Sequence, residues 1–231
     1  MSPTLTLPAP AKLNLFLHVT GRRADGYHQL QTLFQLLDWG DQLHFSANSS
    51  GLITLDDGGL DIPQQDNLIV RAARLLQQGA LGAHIRLEKQ IPAGGGLGGG
   101  SSDAATTLLA LNHLWGLDRG RGELQALGAE LGADVPVFVR GHACWAEGVG
   151  EQIQPVELPE SWFLVLDPGV HVSTAEVFSH SDLTRSSPLT TIAAFLEGAG
   201  RNDCVPVVQK QYPEIASAMH WLDKYAPAKL T

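Results

Sequence analysis

Alternating apolar and polar residues predict strands in the first half of the chain. Over residues 13–19 every second side chain is apolar, which is the period of a strand with one buried face. The same alternation predicts a strand at residues 84–88, and the apolar-rich residues 30–39 are interpreted as another strand. Apolar residues at helical spacing predict helices over residues 68–76, 103–115 and 123–131. Mixed helices and strands of this kind indicate an α+β fold.

The character of the chain changes after residue 151. Pro155 and Pro159 interrupt the pattern, and a new apolar run at residues 163–166 predicts another strand. We therefore expect a domain junction near residue 155. It would separate an N-terminal domain of residues 1–155 from a C-terminal domain of residues 156–231.

Helix-capping residues support these element limits. Asp66 is the expected cap of the first helix, and Gly132 is the expected end of the third. Ser173 and Glu176 have the spacing of a capping box, which predicts a helix start in the second domain. Apolar residues spaced along residues 215–225 predict a late amphipathic helix.

A glycine-rich stretch joins the predicted strand at residues 84–88 to the helix at residues 103–115. It reads Pro92-Ala93-Gly94-Gly95-Gly96-Leu97-Gly98-Gly99-Gly100-Ser101-Ser102. Glycines let the backbone approach a ligand closely, and the unpaired N–H groups of a helix start attract anions. Asp103 is expected in the first turn of that helix, and the two serine hydroxyls could contact phosphate or a metal ion. The stretch therefore predicts a phosphate-binding loop.

Other interpretations of the glycine-rich stretch are a flexible linker and a dinucleotide-binding loop. A linker is not usually bounded so closely by a strand and a helix. Gly94, Gly96 and Gly99 match the dinucleotide spacing, but the acidic residue that should end a second strand is missing, because Asp118 lies in a turn. No Gly-Lys-Ser or Gly-Lys-Thr follows the glycines, so the stretch is not a Walker A loop.

Composition argues against some classes of binding partner. The formal net charge is −9, which argues against general nucleic-acid binding and makes any phosphate site a local feature. No apolar run has membrane-spanning length, so no membrane partner is expected. Cys144 and Cys204 lie far apart without metal-ligand spacing, so no metal site is predicted and free thiols in a reducing cytoplasm are expected.

Three polar residues are candidate functional residues, although each also has an ordinary structural explanation. Lys12 and Asn14 share one face of the first predicted strand, and on sequence alone a solvated face is the favoured interpretation. Asp134 follows Gly132 and precedes Pro136, which is equally typical of a turn.

Four segments in this order resemble a known kinase family. They are Pro10-Ala11-Lys12-Leu13-Asn14, Asp25-Gly26-Tyr27-His28, the glycine-rich stretch and Gly132-Ala133-Asp134-Val135-Pro136. The stretch is similar to the phosphate loop of galactokinase, homoserine kinase, mevalonate kinase and phosphomevalonate kinase. Together the segments resemble 4-diphosphocytidyl-2-C-methyl-D-erythritol kinases of the non-mevalonate isoprenoid pathway. The resemblance implies a domain like ribosomal protein S5 domain 2, followed by a ferredoxin-like domain.

The resemblance also implies the reaction and its residues. The reaction would be ATP-dependent phosphorylation of a substrate hydroxyl, with Mg²⁺ on the phosphates. Lys12 and Asp134 would face that hydroxyl. The glycine-rich stretch, Lys89 and Asn67 would bind ATP. The residues implied for the cytidine-bearing substrate are Asn14, Tyr27, His28 and Phe178.

Two alternatives to this function remain open from the sequence. One is another small-molecule kinase of the same superfamily, such as mevalonate or homoserine kinase. The other is a nucleotide-binding module without activity. Family members continue beyond residue 231 into a second glycine-rich stretch, so we expect this sequence to be a fragment with an incomplete second domain, weak turnover and a tendency to self-associate. The oligomeric state is not predicted.

Overall fold

The computed structural model describes residues 3–60 and 62–231, and it confirms an α+β architecture. The strands are β1 (Thr4–Arg22), β2 (His28–Asn48), β3 (Ile53–Asp56), β4 (Gly82–Glu88), β5 (Cys144–Gly148) and β6 (Gln152–Pro155). The helices are α1 (Leu68–Leu76), α2 (Gly99–Leu114), α3 (Arg121–Leu131), α4 (Val135–Arg140), α5 (Thr174–Ser179), α6 (Ile192–Leu196), α7 (Val205–Gln211) and α8 (Pro213–Leu222). In the part of the chain that the structure describes, no helix has the length and hydropathy of a membrane span.

The chain folds into two compact units, each formed from separated segments. The first unit contains the chain up to Lys12, Leu36–Pro92 and Gly98–His142. The second contains Leu13–Gln35, Ala93–Leu97 and Ala143–Thr231. The long strands β1 and β2, which pair with each other, contribute residues to both units. The division at residue 155 remains a prediction.

The first unit has a sheet covered by helices. The second half of β2 pairs antiparallel with β4, with Leu43 opposite Leu87 and Phe45 opposite Ile85, and β4 pairs parallel with β3. These apolar residues share one cluster with the buried faces of α1 and α2, including Ile69. Burial of this face fixes the register, because a shift by one residue would expose every one of these side chains.

The second unit is organised around the first half of β2. There β2 pairs antiparallel with β5, which places Leu33 opposite Trp145. The strand β5 in turn pairs antiparallel with β6. Leu33, Trp145 and Phe16 form one apolar cluster, while a second cluster surrounds Val19 and the helices α5, α7 and α8. Buried Asp203 accepts hydrogen bonds from the amide of Val19 and from other donors, which fixes that end of β1.

Most predicted elements are confirmed, and the differences have local causes. The helix α2 begins at Gly99, so Asp103 lies in its second turn rather than its first. Asn67, not Asp66, caps α1, because the side-chain oxygen Oδ1 of Asn67 accepts from the amide of Ile69. Ser173 caps α5 by accepting from the amide of Glu176, as the capping spacing predicts.

The strand predicted at residues 163–166 is wrong. No strand is assigned to this run, and Leu164 is 76% exposed. An apolar run becomes a strand only when a neighbouring strand satisfies its backbone. Among the described residues none pairs with this run, so the apolar composition alone misleads.

The solvated face that the alternation in β1 favours is also wrong. Lys12, Asn14 and His18 are all buried, with exposed fractions of 5–6%. Both faces of this part of β1 are therefore covered, and polar side chains occupy the interior. A buried charge is retained only where partners compensate for its lost hydration. The burial of Lys12 therefore indicates that partners for its charge lie nearby.

Candidate active site

The glycine-rich stretch turns sharply before it becomes a helix. Gly98 caps α2 with a φ of +73°, a left-handed conformation that favours glycine. A methyl group at Gly98 would lie 2.8 Å from the ring of Phe138 and 3.0 Å from the side chain of Lys12. The helix start is therefore packed directly against Lys12, and a larger residue at position 98 would displace one of them.

The start of α2 has the features of an anion site. The amide of Ser102 bonds to the carbonyl of Gly98, so the helical ladder begins there and the preceding amides have no partner within the ladder. Ser101 is half-buried, whereas Ser102 is fully buried. Of the two predicted serines, Ser101 is therefore the one with exposed surface.

Lys12 and Asp134 are brought together in the first unit. The ammonium nitrogen of Lys12 lies 3.9 Å from a carboxylate oxygen of Asp134. Burial lowers the pKa of Lys12, and the nearby Asp134 carboxylate partly opposes that shift. Asp134 precedes α4 without capping it through its side chain, so the turn role does not use this carboxylate.

Lys89 connects the strand before the glycine-rich stretch to the helix after it. Its ammonium donates to Asp41, at 2.5 Å, and to Asp103 of α2, at 3.1 Å. The other oxygen of Asp41 accepts from the amides of Gln90 and Ile91. Burial raises the pKa of Asp103 to about 7, and the Lys89 charge opposes this shift. This cluster fixes both ends of the glycine-rich stretch.

Asn67 and Asn14 have structural contacts in addition to their predicted roles. Asn67 is buried and caps α1. The Asn14 amide donates to the hydroxyl of Thr32, at 2.9 Å, and the Asn14 backbone amide donates to the hydroxyl of Thr231, at 2.7 Å. Their contacts with ATP and substrate remain predictions, as does the ATP contact of Lys89.

The second unit groups the predicted base-binding residues. Tyr27 is 67% exposed on a turn closed by the bond from its amide to Asp25. The rings of His28 and Phe178 lie 5.2 Å apart and are tilted by 43°. Arg185 donates from Nε to Nε2 of His28, at 3.1 Å. The ring of Phe178 and the guanidinium of Arg185 therefore both contact the partly buried His28.

Arg185, Asp41 and Asp103 are functional candidates that the sequence does not identify. Arg185 lies 157 residues from His28 in the sequence, and no local pattern joins them. The acidic residues look like ordinary strand and helix residues until the fold brings both to Lys89. Within the described residues, no three His, Cys, Asp or Glu side chains group closely enough to hold a metal ion.

A glycine-rich helix start packed against a buried lysine, which lies beside a partly exposed carboxylate, fits a kinase of the GHMP class. Residues 67–142 match the GHMP kinases N terminal domain. The chain is 58% identical to the 4-diphosphocytidyl-2-C-methyl-D-erythritol kinase of Pseudomonas paraeruginosa, with 100% of this chain and 83% of that protein covered. It is 56% identical to the kinase of the same name from Tolumonas auensis, with 97% and 80% covered. The chain therefore belongs to the 4-diphosphocytidyl-2-C-methyl-D-erythritol kinase family.

Solved structures agree with this membership. A crystal structure of 4-(cytidine 5'-diphospho)-2C-methyl-D-erythritol kinase superposes with a TM-score of 0.77 and 37% identity, covering 94% of this chain and 81% of that one. Homoserine kinase from Cytophaga hutchinsonii gives a TM-score of 0.55 and 19% identity, covering 85% and 64%, which supports the shared fold alone.

Proposed function

We propose that this chain transfers the γ-phosphoryl group of ATP to the 2-hydroxyl of 4-diphosphocytidyl-2-C-methyl-D-erythritol. The observation that carries the proposal is the Lys12–Asp134 pair, 3.9 Å apart, with Lys12 packed against the glycine-rich start of α2. Family membership supports the substrate, since the relatives at 56–59% identity bear the name of this kinase.

The pair supplies the chemistry at the acceptor. Asp134 accepts the hydroxyl proton as the substrate oxygen bonds to the γ-phosphorus, and the bond from that phosphorus to the β–γ bridging oxygen breaks to release ADP. The Lys12 ammonium, 3.9 Å from Asp134, stabilises negative charge near the transferred group. Burial of Lys12 strengthens this effect, because water screens its charge less than at an exposed position.

The start of α2 binds the phosphates of ATP. Its amides and the Ser101 hydroxyl donate to phosphate oxygens, while the Asp41–Lys89–Asp103 cluster keeps the loop in place. Lys89 and Asn67 line the adenosine side. Mg²⁺, when bound, would neutralise charge on the phosphates of ATP.

The aromatic residues of the second unit bind the cytosine ring. Tyr27, exposed on its turn, stacks on the base, and Phe178 borders it beside His28. Polar contacts from His28 then select the base, and Asn14 contacts the remainder of the substrate. Cys144 and Cys204 are buried thiols, which fits the reducing cytoplasm that we propose as its compartment.

A phosphoryl-transfer assay with several alcohols tests the function. We expect ATP-dependent product, detected as a new phosphomonoester by ³¹P NMR, with 4-diphosphocytidyl-2-C-methyl-D-erythritol and none with mevalonate, homoserine or galactose. Turnover of mevalonate or homoserine instead would favour the other-kinase alternative. Nucleotide binding without turnover of any alcohol would favour a binding module.

A further inference from the structure

Arg185 is held in one orientation by four hydrogen bonds. Its Nη2 donates to the carbonyls of Phe178, at 3.0 Å, and His180, at 2.8 Å, while Nη1 donates to the carbonyl of Leu183, at 3.1 Å. Its Nε then points at His28 Nε2, at 3.1 Å. Three carbonyls thus fix the planar guanidinium, and the fourth bond is directed at the imidazole.

The chemistry of this contact determines where the proton of His28 lies. A guanidinium has only donors, so His28 Nε2 must be the acceptor. An imidazole that accepts at Nε2 is neutral and bears its proton on Nδ1. Burial lowers the pKa of His28, and the charges of Arg185 and Arg22 lower it further. The charges of both arginines therefore also disfavour protonation of the ring.

We infer that Arg185 is a positioning residue that makes His28 a donor at Nδ1 and thereby selects cytosine over uracil. The inference rests on the cytidine site of the proposed function. Cytosine has an acceptor at ring N3 and uracil has a donor there. A neutral ring protonated on Nδ1 can donate to N3 of cytosine, and it meets an N–H group in uracil. The same guanidinium donates to the backbone carbonyl of Phe178. It therefore positions both residues, His28 and Phe178, that border the base.

The first test measures the tautomer in the unmodified protein without ligand. Nitrogen-15 NMR of the ring should show His28 neutral at pH 7 with its proton on Nδ1, and its pKa should lie below 6.5, its ordinary value. A ring protonated on Nε2, or charged at pH 7, would overturn the inference. Because this measurement needs no substitution, it stands even if the Arg185 variant folds poorly.

The second test compares CDP and UDP binding by calorimetry. Arg185→Gln can donate or accept, so it should lower the CDP-over-UDP preference about tenfold, as expected for one lost charge-assisted hydrogen bond. Arg86→Gln is the matched control: Arg86 is an exposed arginine of the first unit paired with Glu88, and its loss should leave the preference unchanged.

A double variant separates positioning from a merely structural role. His28→Asn replaces the ring with a shorter amide, which keeps a donor but removes the ring atom Nε2 that accepts from Arg185. Adding Arg185→Gln to this variant should therefore change the preference less than twofold. A full tenfold effect in the His28→Asn background would show that Arg185 acts without His28 and would overturn the inference.

The outcomes distinguish the inference from the proposed function. Equal affinity of the wild-type protein for CDP and UDP would refute the cytosine site itself, and the inference with it. A selective wild-type protein whose preference survives Arg185→Gln would overturn the inference alone.

Discussion

The Lys12 ammonium and the Asp134 carboxylate lie 3.9 Å apart but differ in access to water: the lysine side chain is 7% exposed and the aspartate 35%. The buried ammonium therefore lies beside a carboxylate that a substrate can reach from solvent. A partly exposed carboxylate beside a buried cation suits a positioned acid–base group. It suits a surface ion pair less well, because surface ion pairs contribute little to stability.

Asp134→Asn should lower kcat by about two to four orders of magnitude, the usual loss for a positioned acid–base group. Asparagine keeps the shape of the side chain but cannot take the hydroxyl proton. The ATP dissociation constant, measured separately by calorimetry, should change little. Near wild-type turnover of the pure variant would show that Asp134 has a structural role only.

Gly98→Ala tests the contact between the helix start and Lys12. The added methyl group would meet Lys12 and Phe138 at about 3 Å, at a φ of +73°. We expect kcat to fall roughly tenfold to a hundredfold, because small displacements of a catalytic group are costly. Steady-state kinetics with saturating ATP measures this loss.

Gly116→Ala is the control for Gly98→Ala. Gly116 has a φ of +62° but nothing within 4 Å of an added methyl group. Both variants should lose about 1 kcal/mol of stability from the left-handed backbone. Equal effects of both on kcat would show that backbone strain alone, not displacement of Lys12, explains the loss.

Tyr27→Ala should weaken substrate binding by about 1–3 kcal/mol if the ring stacks on cytosine. Tyr27→Phe should cost little, since the ring face is retained. The KM for ATP should stay nearly constant in both variants. Parallel losses for ATP and substrate would instead place Tyr27 in the fold rather than in the base site.

Asp103 should make stability depend on pH. The unfolded chain ionises this carboxyl near 3.8, whereas burial raises the pKa in the folded protein to about 7. Between these values only the folded state holds the proton, so the free energy of unfolding falls as pH rises. Asp103→Asn lacks this proton and should lack that part of the slope.

Urea unfolding at pH 5 and pH 8 measures the difference. From pH 5 to pH 8 the wild-type protein should lose on the order of a few kcal/mol relative to Asp103→Asn. Asp56→Asn, at an exposed position, should follow the wild-type profile. Parallel pH profiles for wild type and Asp103→Asn would show that Asp103 is ionised in the folded state throughout this range.

Local patterns predicted the elements but not the contacts that build the site. Alternation located β4, and glycine content located the start of α2 within a few residues. The partners of Lys89 and His28 come from distant segments, so only the tertiary fold reveals Asp41 and Arg185. Motif resemblance, rather than periodicity, singled out Lys12, since alternation alone predicts a solvated face.

In the proposed mechanism Lys12 and Asp134 act as one unit on the acceptor hydroxyl. The decisive measurement is a double-mutant cycle of single-turnover rates for Lys12→Ala, Asp134→Asn and the double variant. Each single variant should be severely impaired, and the double variant should be little slower than the slower single one. A double variant slowed by the product of both single effects would contradict the claim, because the two side chains would then act independently.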